Sequence, residues 1–331
     1  MKKWIALVLA LAVTASFAGC GAKTADAPAA ENETAAPAAA DASYKVGICQ
    51  LVQHPALDAA TEGFQAAIKD ALGDQVTFDL QNASGESVNC ATIINGFVSN
   101  EVDLIMANAT APLQAAASAT ADIPVLGTSV TDYASALELD NWNGTVGTNV
   151  SGTSDLAPLS EQAAMVKELF PDAKTVGLLY CSAESNSQYQ VDVMTKELEA
   201  LGMTCTPYSF TDTNDVASVA QAACKSDVIF IPTDNTAAAN TEAIANVVLA
   251  EGVPVVASEA GICTGCGVAT LSISYYDLGY KTGEMAVKIL TGEANVSEMP
   301  VEFAGNPTKM YNAANCEALG ITPPEGYAPL Q

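Results

Sequence analysis

The chain has 331 residues, of which 38 are acidic and only 12 are basic, so its formal net charge at pH 7 is −26. All twelve basic residues are lysines, and the chain has no arginine. So strong a negative field excludes nucleic acid and anionic membrane surfaces as partners.

The first twenty residues have the pattern of a secretory signal. Lys2 and Lys3 precede an apolar run at 4–12, and small residues then lead to Cys20. The run is too short for a membrane-spanning helix, which needs about 20 apolar residues. The pattern predicts a signal peptide over 1–19 and resembles a bacterial lipobox, in which Cys20 carries the lipid. An ordinary secretion signal with an incidental cysteine is the alternative.

A segment of small, polar and acidic residues follows and predicts a disordered tether over 20–43. It has no large apolar side chain, so it cannot bury enough surface to offset the entropy lost on ordering. The folded part is expected from Tyr44, and no later apolar run is long enough to cross a membrane. We therefore expect an extracytoplasmic protein, lipid-anchored to the outer face of the cell membrane.

Short β-branched segments alternate with longer amphipathic segments along the rest of the chain. In the first half, strands are predicted at 45–50, 76–81, 103–107 and 124–128, and helices at 55–72, 86–100 and 110–119. In the second half, strands are predicted at 174–180, 204–209, 227–231 and 253–257, and helices at 156–169, 186–201, 214–224, 236–250 and 275–291. Apolar strands between helices indicate parallel sheets covered on both faces.

The two halves repeat one another at a constant spacing. The strand around Gly47 recurs around Gly177, and the strand that begins at Pro124 recurs at Pro254, each 130 residues later. A constant spacing indicates two similar structural units rather than a chance match. The predicted fold class is therefore α/β, with two doubly wound parallel-sheet lobes.

Two such lobes form a cleft, and ligands of open parallel sheets bind beyond the carboxyl ends of the strands. Helix starts at this edge also present free N–H groups. The polar candidates there are Gln53, His54, Asn108, Thr110, Ser129, Thr131, Asp132, Ser154, Ser182, Glu184, Asn186, Ser187, Asp234, Asn235, Ser258 and Glu259. The alternative for each is structural, because such residues before helices are also ordinary N-caps.

Nine cysteines include Cys20, and two of the others, Cys263 and Cys266, lie in a polar segment that reads as a loop. A local disulfide is the first interpretation, two free thiols the second, and a metal or redox pair the third. Metal is disfavoured because the only histidine, His54, is distant in sequence. We expect neither a metal nor a cofactor, and no catalytic residues.

Segments along both halves of the chain together resemble a known family. They are 53–58 with 63–64, 81–83 with Gly85, 108–110, 131–132, 152–155, 184–187, 232–236 and 275–279. The chain resembles the tryptophan/tyrosine-type substrate-binding lipoproteins of ABC transporters, which have the type I periplasmic-binding-protein fold, over nearly all of 44–295.

The resemblance implies two lobes that close on a ligand about a hinge. It places 44–150 with 273–295 in the N-terminal lobe and 151–258 with 296–331 in the C-terminal lobe, with crossings near 148–152, 258–273 and 293–300. It further implies a monomer that binds tryptophan, tyrosine or phenylalanine and delivers it to an ABC permease and its ATPase. A solute sensor that signals to a membrane receptor is the alternative function.

The lack of arginine shapes the predicted ligand contacts. A ligand carboxylate must be held by backbone N–H groups and hydroxyls, for which Ser129, Thr131 and Ser154 are predicted. Asp234 is the predicted partner of the ligand ammonium and Asp132 the next choice, with helix capping as the alternative for Asp234. Four aromatic residues are candidates to line the pocket of the ligand side chain: Phe97, Tyr180, Tyr189 and Tyr275. For each of them the alternative is a position in the hydrophobic core.

Overall fold

The computed structural model describes residues 43–303, 305–323 and 325–330. The predicted signal peptide, the tether and Cys20 lie outside the described residues. Within these ranges, no helix combines the length and the apolar character that crossing a membrane requires.

The first lobe is built on a six-stranded, fully parallel sheet. Its strands are β1 (Tyr44–Gln50), β2 (Val76–Asn82), β3 (Leu104–Asn108), β4 (Val125–Val130), β5 (Val150–Ser154) and β11 (Glu302–Phe303). Their order across the sheet is β11-β5-β4-β3-β1-β2. Helices cover both faces: α1 (Pro55–Leu72), α2 (Ser87–Ser99), α3 (Thr110–Ala119), α4 (Tyr133–Ala136) and α11 (Tyr275–Leu290).

The second lobe has a seven-stranded sheet of the same design. Its strands are β6 (Thr175–Cys181), β7 (Thr204–Phe210), β8 (Val228–Ile231), β9 (Val255–Ala257), β10 (Ala269–Ser272), β12 (Thr308–Tyr311) and β13 (Ala328–Pro329), in the order β13-β12-β10-β9-β8-β6-β7. Only β10 and β12 pair antiparallel. Its helices are α5 (Leu159–Leu169), α6 (Ser185–Ala200), α7 (Val216–Ala223), α8 (Asn235–Ala239), α9 (Thr241–Glu251), α10 (Ala260–Cys266) and α12 (Ala313–Leu319).

The predicted fold class is confirmed, with differences in single elements. The helix predicted at 236–250 is divided at Asn240, whose side-chain amide donates to the carbonyl oxygen of Thr236 at 2.7 Å and ends the first part. The strands β5 and β10 were not predicted. Both consist mainly of Ala, Gly, Ser and Thr, which lack the β-branched apolar pattern of the other strands.

The chain passes between the lobes three times, the first and the third time later than the resemblance implies, and the second time at the end of the implied range. The first crossing follows β5, whose five residues pair with the first sheet, so the boundary at 150/151 would cut this strand. The second lies at 273–274, because β10 belongs to the second sheet. The third follows β11, because 302–303 pairs with the free edge of β5 in the first lobe instead of joining the second.

The return of α11 to the first lobe, which was expected, depends on close packing against α1. A Cβ atom at Gly279 would overlap the carbonyl oxygen of Ala60, and one at Gly63 would overlap that of Tyr276. The two helix backbones therefore approach as closely as only glycine permits. This packing fixes the direction of α1, whose first turn points into the cleft.

Candidate functional site

A small cavity lies between the lobes at the carboxyl ends of the strands. The space among its side chains amounts to about 290 Å³ when the part open to solvent is included. Its wall consists of His54, Ala56, Leu57, Ser129, Thr131, Asp155, Asn186, Thr233, Asp234, Asn235, Ala238, Glu259 and Tyr275. Both lobes contribute, together with Asp155 and Tyr275, which lie next to the first and second crossings, so the cavity exists only while the lobes are in contact.

The structure brings together about half of the predicted site residues. Those that line the cavity are His54, Ser129, Thr131, Asn186, Asp234, Asn235 and Glu259. Thr110 and Glu184 instead line a neighbouring, larger groove between the lobes. The others lie outside the cavity wall: Gln53 and Ser182 are exposed, Asn108, Ser154, Ser187 and Ser258 are buried, and Asp132 is half-buried.

Of the four aromatic candidates for the side-chain pocket, only Tyr275 lines the cavity. Phe97 and Tyr180 belong to the hydrophobic cores of the first and second lobe, as the alternative stated. Tyr189 is half-buried on α6 and is not part of the cavity wall.

The carboxylate of Asp234 caps a helix and has no free oxygen. Its Oδ1 accepts from the backbone N–H of Ala237 at 2.7 Å, and its Oδ2 accepts from that of Cys181 at 2.6 Å. Burial, together with the nearby charge of Glu184, raises the pKa of Asp234 to about 8. The geometry therefore favours the capping alternative for Asp234 over its predicted role as the ammonium partner.

Glu259 has the same arrangement at the start of α10. One oxygen accepts from the backbone N–H of Gly261 at 2.6 Å and the other from that of Ile262. The side chain is only 3% exposed, and burial raises its pKa to about 7 against the opposing effect of these two hydrogen bonds.

The two remaining predicted acids also serve helix starts. Glu184 accepts from the backbone N–H groups of Asn235 and Thr236 at 3.0 and 2.8 Å. Asp132 accepts from the backbone N–H of Ala134 at 3.1 Å and caps α4.

Asp155 is a cavity carboxylate that was not among the predicted site residues, although it ends the segment 152–155 that carries part of the resemblance. It follows β5 directly, is 4% exposed, and accepts a hydrogen bond from the hydroxyl of Tyr275 at 2.8 Å through Oδ2. Its Oδ1 is buried in the cavity wall with no hydrogen-bond partner, and burial raises its pKa. The signal that could have found it is its position after a strand, but β5 itself was not recognised.

The cavity wall also offers hydrogen-bond donors. Helix α1 begins there without a side-chain cap, and the first-turn N–H groups of Ala56 and Leu57 have no acceptor within the helix. Ser129 lies beside them at φ = 54°, with a buried hydroxyl that has no partner. Ser154 is not available, because its hydroxyl donates to the carbonyl oxygen of Thr131 at 2.9 Å and the residue lies outside the cavity wall.

Two side-chain hydrogen bonds join the lobes across the cavity. Nε2 of His54 lies 3.2 Å from Oδ1 of Asn235, and the hydroxyls of Thr131 and Thr233 are 3.3 Å apart. Burial lowers the pKa of His54, so its ring is neutral and Nε2–H donates to the amide oxygen. The lobes therefore meet through neutral polar contacts.

Cys263 and Cys266 lie on α10 rather than in a loop. Both thiols are buried and free, so the local disulfide of the first interpretation is absent from this structure. No group of three or more His, Cys, Asp or Glu side chains in the described ranges is arranged to hold a metal ion.

Comparison with known proteins identifies the family. Residues 45–328 match the family model described as ABC transporter substrate binding protein. A tyrosine-binding protein of Clostridioides difficile (strain R20291) is 34% identical over 280 residues, which cover 83% of this chain and 81% of the relative.

Two solved structures indicate the arrangement of the lobes. A domain from Streptococcus pneumoniae in complex with L-Trp is 33% identical, covers 87% of this chain and 99% of its own, and has a TM-score of 0.83. A ligand-free, open substrate-binding protein from Clostridium difficile is 37% identical with the same coverage, yet its TM-score is 0.67. The lobes here are thus placed more as in the ligand-bound structure, in agreement with the hydrogen bonds that join them.

Both relatives share the type I periplasmic-binding-protein fold, whose two lobes bind a solute between them without catalysing a reaction. Proteins of this kind act outside the cytoplasm. With a match that spans almost all of the described residues, the chain belongs to the family of ABC transporter substrate-binding proteins.

Proposed function

We propose that this protein captures an aromatic L-amino acid between its lobes and delivers it to the permease and ATPase of an ABC transporter. The observation that carries the proposal is the pairing of unused groups in one cavity. The buried Oδ1 of Asp155 lacks a donor, while the start of α1 and the hydroxyl of Ser129 lack an acceptor. An amino acid supplies both missing partners. One relative is named for tyrosine binding, and another was solved in complex with L-Trp.

Asp155 is the proposed partner of the ligand ammonium. Enclosing an ammonium ion is costly unless an anion and good acceptors replace its water. The carboxylates of Asp234 and Glu259 line the same cavity, but their oxygens already accept backbone N–H groups. Asp155 alone among the three has an oxygen without a partner.

The ligand carboxylate is proposed to lie at the start of α1. The positive end of an 18-residue helix and its free N–H groups favour an anion there. The hydroxyls of Ser129 and Thr131 belong to the same cavity wall and are the proposed further donors. No arginine exists in the chain to take this role, so the carboxylate contacts are neutral dipoles. The ring of Tyr275 is available to the aromatic side chain.

The binding test is isothermal titration calorimetry with tryptophan, tyrosine and phenylalanine, and with common sugars as the contrast. We expect micromolar or tighter binding of at least one aromatic amino acid. Asp155→Asn should weaken it ten- to a hundredfold, because a hydrogen bond to a charged group contributes about 1.5–3 kcal/mol. Asp132→Asn, a cap outside the cavity wall, is the matched control and should bind like the parent. Binding of a sugar without any amino acid would refute the proposal.

The protein is further proposed to act as a monomer, lipid-anchored through Cys20 after removal of 1–19. The lipid anchor rests on the sequence pattern at the start of the chain, and the monomeric state on the resemblance. Cys20→Ala should leave the protein unprocessed or release it into the medium, which membrane fractionation and immunoblotting detect. If the processed variant is retained in the membrane as the parent is, the lipid anchor at Cys20 is refuted.

A further inference from the structure

The charge of the cavity wall is one-sided. Three of its residues are carboxylic acids: Asp155, Asp234 and Glu259. The one side chain of the wall that can become cationic is that of His54. Burial lowers the pKa of His54, so its ring is neutral. No lysine belongs to the wall, and the chain contains no arginine. A cation inside this cavity meets carboxyl groups that can carry the compensating charge, whereas an anion meets no cationic side chain.

The two ends of an amino acid would therefore be held in physically different ways. The N–H groups at the start of α1 and the hydroxyl of Ser129 are neutral donors, and a water molecule can take the place of a carboxylate there. A water molecule cannot replace an ammonium at Asp155, because the buried carboxylate would remain an uncompensated charge or take up a proton. Losing the ammonium leaves a penalty that losing the carboxylate does not.

We propose that this site selects its ligand by the ammonium group, and that aromatic monoamines, which have an ammonium and no carboxylate, are ligands of this protein as well. The inference rests on the proposed function, because it concerns the same cavity and the same Asp155. It extends the ligand class from aromatic amino acids to the primary amines that their decarboxylation yields. It equally excludes aromatic acids without an amino group.

Three probes that share one ring separate these contributions in calorimetry: L-tyrosine, tyramine and 3-(4-hydroxyphenyl)propionate. The corresponding indole series is L-tryptophan, tryptamine and 3-indolepropionate. We expect the amine to bind within about tenfold of the amino acid, and the propionate to bind at least a hundredfold more weakly. Each tenfold step corresponds to about 1.4 kcal/mol. The inference would be overturned if, in the tyrosine series and in the indole series alike, the amine binds less than tenfold more tightly than the propionate.

The variants assign the selectivity to its residue. Asp155→Asn should weaken amine binding at least tenfold, and Asp132→Asn, whose carboxylate caps α4 outside the cavity wall, should leave it unchanged. If both variants lose affinity for the amine equally, or if neither loses affinity, the role of Asp155 is contradicted. If the amino acids bind and the amines do not, the inference fails and the proposed function stands. If only the amines bind, the proposed function fails instead, and if no probe binds, both fail.

Discussion

Glu259 allows a sharp test of the electrostatics of the cleft through the stability of the ligand-free protein. Its pKa is raised from 4.5 to about 7 in the folded state because the carboxylate is buried. Between these two values the folded protein holds a proton that the unfolded chain has released. The free energy of unfolding must therefore fall as the pH rises through this window, and the contribution levels off above about pH 7.

The magnitude follows from the size of the shift. One pKa unit corresponds to about 1.4 kcal/mol, so Glu259 accounts for a decrease of at most about 3 kcal/mol between pH 4.5 and 7. Glu259→Gln has no proton to gain or release, so its stability lacks this pH dependence. Its amide nitrogen cannot accept a backbone N–H as the replaced oxygen does, which lowers the stability of the variant by the same amount at every pH. We expect the stability of the variant relative to that of the parent to rise by about 1–3 kcal/mol from pH 5 to pH 8.

Urea unfolding of the ligand-free protein at pH 5, 6, 7 and 8, followed by circular dichroism, measures this difference. The matched control is Ser274→Ala, which removes the neutral cap of α11, where the hydroxyl accepts from the backbone N–H of Asp277. Its stability should lie below that of the parent by about 1 kcal/mol at every pH. If the curves of Glu259→Gln and the parent run parallel from pH 5 to pH 8, the buried carboxylate does not hold the proton.

Two further predictions concern packing and ligand binding. Gly279→Ala should destabilise the protein by about 3 kcal/mol or more in urea unfolding, because the new methyl group overlaps the carbonyl of Ala60. The control is Gly96→Ala on α2, which has open space around it and should be neutral or slightly stabilising. Equal effects of the two substitutions would contradict the packing argument. The affinity for an aromatic amino acid should be lower at pH 4 than at pH 8 in calorimetry. Burial raises the pKa of Asp155 above its ordinary 3.8, and its proton must leave before the ion pair forms. Equal affinities at pH 4 and pH 8 would argue against Asp155 as the ammonium partner.

Most of the fold could be predicted from the sequence because its strands and helices have strong patterns. The helix at 55–72 was predicted with its observed limits, since Pro55 suits the first helical turn and the apolar residues repeat with helical spacing. β5 was missed because its residues, Val-Ser-Gly-Thr-Ser, have no apolar run. Its pairing between β4 and β11 is decided by tertiary contacts.

The site was harder to predict, because the same residue types serve two purposes at the cleft. A carboxylate before a helix reads identically in sequence whether it caps that helix or faces a ligand. Only the structure shows that Asp234 and Glu259 use their oxygens on backbone N–H groups and that Asp155 keeps one unused. The position of the cleft could be predicted from strand ends, but the hydrogen-bond partners within it could not.

The interleaving of the two lobes along the chain governs the order in which the protein can acquire its structure during export. The first lobe needs α11 to cover α1 and needs β11 to complete its sheet, yet both are synthesised after nearly the whole second lobe. A chain emerging from a translocation channel therefore cannot finish its first lobe until about residue 303 is outside. Until then the face of α1 around Gly63 stays uncovered, and we expect the nascent first lobe to be open to proteases during this interval.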